Sequence, residues 1–491
     1  MGSDNAEKKE DRDRKEKAEE KEEKLRMLGL EPFETDRSMK LDGRTLEYTA
    51  RLGVLPLKDD KGETRAEVFF TAYELGGVED KSARPLTFAF NGGPGSSSIW
   101  LHMGALGPRR AVMEPEGWMP SPPYRMEDNP GTWLPFTDLV FIDPVGTGFS
   151  RAAKDEYYKD YLNFEGDVRS VGEFILLYLS RYGRWSSPLY IAGESYGTTR
   201  AAGLALHLFG MGVGFSGLVL ISTALDLRPI FFGESDDLPF QLFVPTYTAT
   251  ARYHGRLGED LQARPLPELL EEVEAWVMDR LTPALMRGDG LDKTETTEIA
   301  AELARYTGLD PEYVKGSRLR IHISRFCREL LRSEKRSVGR IDSRFRGIEA
   351  LGITEFPERD PSMTAINPPY TSMFNQYVRA ELGLETDMIY TTMMCDDLRK
   401  KWEWDKGKLP STGDKLRSAM SANPFMRVMV AQGYYDLATP HMATKYMVSH
   451  VNLDPELRDK VSTVYYEAGH MFYLDSASLM KLRDDASSFI T

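Results

Sequence analysis

Apolar positions in this chain recur with two different periods. Short runs rich in β-branched and aromatic residues, bounded by Gly, Pro or Asp, fall at 46–57, 66–73, 85–90, 139–142, 188–192 and 218–222, and again at 427–431 and 461–465. Several are apolar at nearly every position, the pattern of strands in a sheet covered on both faces. Helical spacing, as at 168–180, lies between several of the runs. Alternation of strand and helix predicts a mostly parallel sheet flanked by helices, an α/β fold. The first two runs also fit an antiparallel hairpin at the sheet edge. The segment 476–490 closes the chain as a predicted helix.

From about 226 to 400 the pattern becomes helical. Leu266, Leu269, Leu270, Val273, Trp276, Val277 and Leu281 share one helical stripe, and Asp310-Pro311 reads as an N-cap followed by proline at the first helical position. The chain therefore divides into an α/β core of 31–225 and 401–491 and a mostly helical cap insertion at 226–400. At about 150 residues per domain, 491 residues suit such a decorated core as well as a string of about three domains. Residues 4–26 are almost all Asp, Glu, Lys and Arg, with Leu25 nearly alone to bury. A charged, disordered tail over 1–30 is expected, because so little apolar surface cannot offset chain entropy.

Charge then narrows the function classes. The formal net charge is −14 and the pI about 5.2, so no basic field attracts a phosphate backbone, and nucleic acid is not an expected partner. Cys327 and Cys395 cannot supply a disulfide framework, a four-thiolate zinc site or a closely spaced redox pair. A single bridge between them stays open. No run reaches the roughly 18 apolar residues of a membrane span. The first residues lack the order of a secretory signal. The compartment stays open between the cytoplasm and, for a chain whose signal has been removed, the periplasm or exterior.

The chemistry centres on Gly193-Glu194-Ser195-Tyr196-Gly197, which follows the apolar run 188–192 and precedes a helical pattern. Glycines flank the serine where a strand turns so tightly into a helix that side chains do not fit, which makes Ser195 a candidate nucleophile. An ordinary glycine-rich turn is the competing reading. A serine hydroxyl needs a base, and the base an orienting acid. In the order Ser, Asp, His expected of a strand–elbow–helix nucleophile, the late histidines are His441, His450 and His470. His470 follows the strand 461–465 and is the candidate base. His441 reads as a loop or helix-start residue and His450 as a surface position. Asp436, just past 427–431, is the candidate orienter, and fits equally a helix N-cap or turn aspartate. Oxyanion donors are expected from the Tyr196 amide and from the glycine-rich loop Asn91-Gly92-Gly93-Pro94-Gly95-Ser96-Ser97-Ser98. That loop lacks the lysine and spacing of a phosphate-binding loop. Gly146-Thr147-Gly148 is expected as a tight turn beside the cleft. No metal and no cofactor are called for.

Five blocks together resemble the serine carboxypeptidase family (peptidase family S10) of the α/β-hydrolase fold. They are the 91–98 loop, Asp143-Pro144-Val145-Gly146-Thr147-Gly148-Phe149-Ser150, the Ser195 elbow, Gly433-Tyr434-Tyr435-Asp436 and Ala468-Gly469-His470-Met471. The resemblance implies Ser195 as nucleophile, His470 as general base and acid, Asp436 as orienter, and the amides of Gly93 and Tyr196 as oxyanion hole. It also implies that Asn91, Gly92 and Glu194 bind the C-terminal carboxylate of a peptide substrate. Three departures stand out. Ser96 replaces the family's cysteine, as in a bacterial-type member without the eukaryotic disulfides. The Asp143 block is one residue short of the common form. Ala105 occupies the place of a second carboxylate-binding glutamate, which leaves Arg109 and Arg110 either as substitute anchors or as solvent-facing charges. The expected activity is removal of C-terminal residues through an acyl-enzyme. An esterase, amidase or acyltransferase using the same triad without a carboxylate anchor is the alternative, and a non-catalytic binding protein a further one.

Overall fold

A computed structural model describes residues 27–233, 235–404 and 408–491. Residues 1–26 of the expected charged tail lie outside the described residues. The strands are β1 (Phe33–Leu41), β2 (Arg44–Lys58), β3 (Thr64–Leu75), β4 (Leu86–Phe90), β5 (Arg109–Ala111), β6 (Met126–Asp128), β7 (Asp138–Ile142), β8 (Arg151–Ala152), β9 (Leu189–Glu194), β10 (Gly217–Ile221), β11 (Arg336–Val338), β12 (Arg346–Ile348), β13 (Arg427–Gly433) and β14 (Val461–Tyr466). Among the described residues, ten form one sheet in the order β1-β2-β3-β7-β4-β9-β10-β13-β14, with β8 paired to β3. From β7 to β14 all neighbours are parallel, and β1, β2, β3 and β7 are joined antiparallel.

Strands β4, β7, β9 and β10 are buried along their whole length. Their continuous apolar runs follow from two cores. One packs Phe174, Tyr178 and Leu204 against a face of the sheet, carried by the helices Phe164–Arg181 and Tyr196–Phe209. The other packs Trp133, Tyr473 and Phe489 against the opposite face, with the helix Ser476–Ile490 capped by the Asp475 side chain. The first two sequence runs do form an antiparallel hairpin, Tyr48 opposite Leu75, but it is not the edge. β1 covers it and was not expected: its nine residues alternate between half-buried and exposed with few large apolar groups, because an edge strand with one wet face needs little apolar surface.

Between β10 and β13 lie helices such as Val244–Tyr253, Leu266–Trp276, Lys293–Thr307 and Pro361–Gln376. The stripe from Leu266 to Leu281 is buried except for half-buried Trp276. Asp310 caps a helix by accepting from the amides of Glu312 (2.9 Å) and Tyr313 (3.2 Å), though that helix, Pro311–Gly316, has only six residues. The same segment holds the antiparallel pair β11 and β12, whose three-residue strands are too short to print a period in the sequence. Before β13 the chain returns to the core: Ser97 N donates to Thr392 O (3.0 Å) and Met394 N to Gly95 O (2.7 Å), clamping the 91–98 loop.

Candidate active site

Ser195 sits between β9 and the helix Tyr196–Phe209 with φ 60° and ψ −130°, a conformation L-residues rarely adopt and one that marks functional turns. Its backbone is held by Ser195 N to Ile221 O (2.9 Å) and Thr198 N to Ser195 O (2.8 Å). A Cβ on Gly193 would lie 2.4 Å from Gly197 O, so strand and helix approach more closely than side chains permit.

Asp436 and His470 follow adjacent parallel strands, β13 and β14. Asp436 is fully buried. Its Oδ1 accepts from the amides of Ala438 (2.7 Å) and Thr439 (2.8 Å), and its Oδ2 from Thr439 Oγ1 (2.7 Å), Gln432 Nε2 (3.2 Å) and His470 Nδ1 (2.8 Å). It therefore works both as a turn aspartate and as the histidine's partner. With Nδ1–H directed at Asp436, Nε2 carries the lone pair that a base requires. The His470 backbone is pinned on both sides, His470 N to Ile341 O at 2.7 Å and Ser222 Oγ to His470 O at 2.6 Å. Burial works against a charged imidazole, but the charge and hydrogen bond of Asp436 and the charge of Glu194 outweigh it, so His470 protonates above the ordinary histidine value.

A cavity of about 260 Å³ is lined by Ser195, His470, Asn91, Gly92, Gly93, Glu194 and Tyr196, with Asp436 behind the imidazole. A Cβ on Gly92 would fall 2.4 Å from Tyr196 N, which puts the glycine loop directly against the start of the helix. Glu194 is buried; its Oε1 accepts from Asn91 Nδ2 (2.8 Å) and its Oε2 from Tyr473 OH (2.6 Å). Burial pushes this carboxyl up to about 7, against the lowering pull of His470 and of the two hydrogen bonds. Arg200, also buried, binds Asp167 Oδ2 (2.8 Å) and Asn91 O (2.8 Å) and so steadies the loop from beneath. Gln432, Thr439, Tyr473 and Arg200 were not singled out by motif. Tyr473, three residues past His470 in an aromatic run, was the one with a readable signal.

Several expectations need correction. Ala105 is fully buried in a π-helical turn, His102–Leu106, and does not line the cavity. Arg109 and Arg110 lie on β5, not on a loop or helix facing the site. Arg109 pairs with Asp128 (2.7 Å) and Glu381 (3.1 Å), and buried Arg110 lies 3.8 Å from Glu127. They are thus neither solvent-facing charges nor cavity residues. The Gly146-Thr147-Gly148 turn forms, with Thr147 N donating to Pro144 O (3.0 Å), but it packs on Thr391 away from the cavity lining. His441 starts the helix His441–Ser449 fully buried, 3.1 Å from both Thr246 Oγ1 and Glu274 Oε1, whereas His450 is exposed. Cys327 is buried, Cys395 exposed, and both are free thiols, so no bridge joins them. Among the described residues no helix is long and apolar enough to cross a membrane, and no group of three or more His, Cys, Asp or Glu is placed to hold a metal ion.

Residues 52–209 match the family model for serine carboxypeptidases. The chain is also 34% identical over 140 residues to a pheromone-processing carboxypeptidase KEX1 of Phaeosphaeria nodorum, covering 27% of this chain and 19% of that protein. Serine carboxypeptidase-like 5 of Arabidopsis thaliana is 30% identical over 155 residues, covering 31% of this chain and 33% of the relative. All three are partial likenesses to serine carboxypeptidases. The alignments span a third or less of these relatives' own length. The crystal structure of the Saccharomyces cerevisiae prohormone-processing carboxypeptidase superposes with a TM-score of 0.56 at 16% identity, over 90% of this chain and 91% of that one. The fold is that of an α/β-hydrolase.

Proposed function

We propose that this chain is a serine-type carboxypeptidase that removes C-terminal residues from peptides. The observation that carries the reading is one cavity holding Ser195, in its strained elbow, and His470, whose Nδ1 lies 2.8 Å from buried Asp436. Ser195 attacks the carbonyl of the terminal peptide bond while His470 takes its proton and then passes it to the leaving amino acid. The amides of Gly93 and Tyr196 receive the oxyanion, and water, giving a proton to His470, then attacks the acyl carbonyl and breaks its bond to Ser195 Oγ, which regains the proton as the shortened peptide leaves. Asn91, Gly92 and Glu194 receive the substrate's carboxylate. The insertion 226–400 acts as the cap that shapes the side-chain pockets, a role supported by Phe231, Met363 and Met393 lining the same cavity. The two free thiols and Ser96 in the glycine loop support placement in a branch of the family without the eukaryotic disulfides.

The test is the product ladder from a peptide with a free C-terminus against the same peptide amidated. Stepwise loss of residues from the free acid alone supports a carboxypeptidase. Equal rates on both replace it with an esterase or amidase. A fluorophosphonate that fails to label Ser195 removes the enzymatic reading altogether.

The pH profile should differ between the two substrate types. Below about 7 Glu194 is protonated and can donate to a substrate carboxylate; above it, two like charges face each other. For free-acid peptides kcat/KM should therefore fall as pH rises through about 7, and Glu194→Gln should remove that limb. Ester hydrolysis should lack it, keeping only the acid limb, where His470 becomes protonated. A basic limb that survives in Glu194→Gln would take Glu194 out of the carboxylate site.

A further inference from the structure

The cavity beside Ser195 is lined by four ionisable side chains other than tyrosine, Glu194, His470, Asp360 and Arg340. Three are already engaged. Glu194 is held by Asn91 and Tyr473, and His470 by Asp436. Asp360 caps the helix Pro361–Gln376, its Oδ1 accepting from Ser362 N (2.9 Å) and its Oδ2 from Ile341 N (3.3 Å). Arg340 differs, because among the described residues its guanidinium has no hydrogen-bond or ion-pair partner. It is also the one Lys or Arg among the described residues that line this cavity.

An exposed arginine without a partner is ordinary on a protein surface, where water serves it well. What distinguishes Arg340 is how firmly its backbone is set against the catalytic loops. Arg340 O accepts from Leu437 N (3.1 Å), next to Asp436, and the following carbonyl, Ile341 O, accepts from His470 N (2.7 Å). Gly339 N is tied to Phe345 O (3.0 Å) on the other side. The backbone is therefore set before a ligand binds, and the ordering left is that of the side-chain rotamers. Its charge already acts on the His470 ring, opposing protonation there. A guanidinium offers a planar fork of donors that matches a carboxylate two bonds at a time, and the carboxylate is the anion that peptides carry.

We propose that Arg340 is a specificity-determining residue that recognises a carboxylate of the peptide substrate. The inference rests on the carboxypeptidase reading and deepens it. It also relocates the cation sought near Ala105, since Arg109 is bound by Asp128 and Glu381 and Arg110, 3.8 Å from Glu127, does not line the cavity. In a peptide the carboxylate comes from an Asp or Glu side chain next to the scissile bond, or from the chain terminus.

The experiment measures kcat/KM of the full chain on three matched peptide pairs: C-terminal Glu against Gln, penultimate Glu against Gln, and free acid against amide with neutral side chains. Wild type is compared with Arg340→Met, Arg340→Lys and Arg340→Glu, and thermal melting reports whether each variant is folded. At least one of the three acid-over-neutral ratios should fall by about 5- to 10-fold from wild type to Arg340→Met, the lower part of the range for a charge-assisted bond because the site is open to water. That ratio should survive in part in Arg340→Lys and fall further in Arg340→Glu than in Arg340→Met. The pair that responds identifies the source of the carboxylate. Identical ratios in wild type and Arg340→Met for all three pairs overturn the role of Arg340 and leave the carboxypeptidase reading standing. A wild-type enzyme that trims none of the peptides overturns both.

Discussion

Replacing Ser195 or His470 by alanine is expected to lower kcat by roughly 10⁴- to 10⁶-fold, with little further loss in the double variant, because the members of such a unit fail together. The magnitude follows from the roles proposed. Without Ser195 no acyl-enzyme forms, and without His470 the hydroxyl keeps its proton at neutral pH. The remaining activity would come from binding and from the amide donors of Gly93 and Tyr196. Steady-state kinetics on a free-acid peptide gives the size, and fluorophosphonate labelling separates the two variants, Ser195→Ala losing the acceptor and His470→Ala retaining it at a much slower rate. The Ser195 backbone is held by Ile221 and Thr198, contacts that alanine leaves in place, so the melting temperature should change little. Turnover near wild type in either single variant would falsify the assignment.

Asp436→Asn should cost about 10⁴ in kcat. The asparagine oxygen can still accept from the amides of Ala438 and Thr439, which leaves its NH₂ group facing His470 Nδ1. A donor there favours the imidazole tautomer with its proton on Nε2, and that ring cannot take a proton from serine. The pH profile supplies an independent check. Asp436 contributes to raising the His470 pKa, so losing its charge should move the acid limb of the residual activity to lower pH. A variant that loses activity but keeps the acid limb in place would make Asp436 a loop support, acting through Thr439, and not the histidine's electrostatic partner.

How much of this was readable in advance differs from residue to residue. The elbow was, since Gly193 answers a clash with Gly197 that arises within five residues. The buried strands were too, and Asp310 announced its cap in two letters. β1 was missed because a strand at a wet edge carries weak apolar alternation. Gln432 and Thr439 escaped because neither belongs to a motif; they matter only once β13 and its loop fold back on the Asp436 carboxylate.

The arginines show where local reading stops. Arg109 and Arg110 sit close in sequence to Ala105, and proximity along the chain made them candidates for the missing anchor. Their partners, Asp128, Glu127 and Glu381, come from elsewhere in the chain and hold their charges away from the cavity. Arg340, far from every motif, is brought to the cavity because its carbonyl and the next one are bonded to the loops of Asp436 and His470. Steric demands of a turn, the period of a strand and the cap of a helix act over a few residues and so are written in short stretches of sequence. The charges that surround a substrate are set by how distant loops cross above the sheet, and those crossings depend on packing across the whole chain.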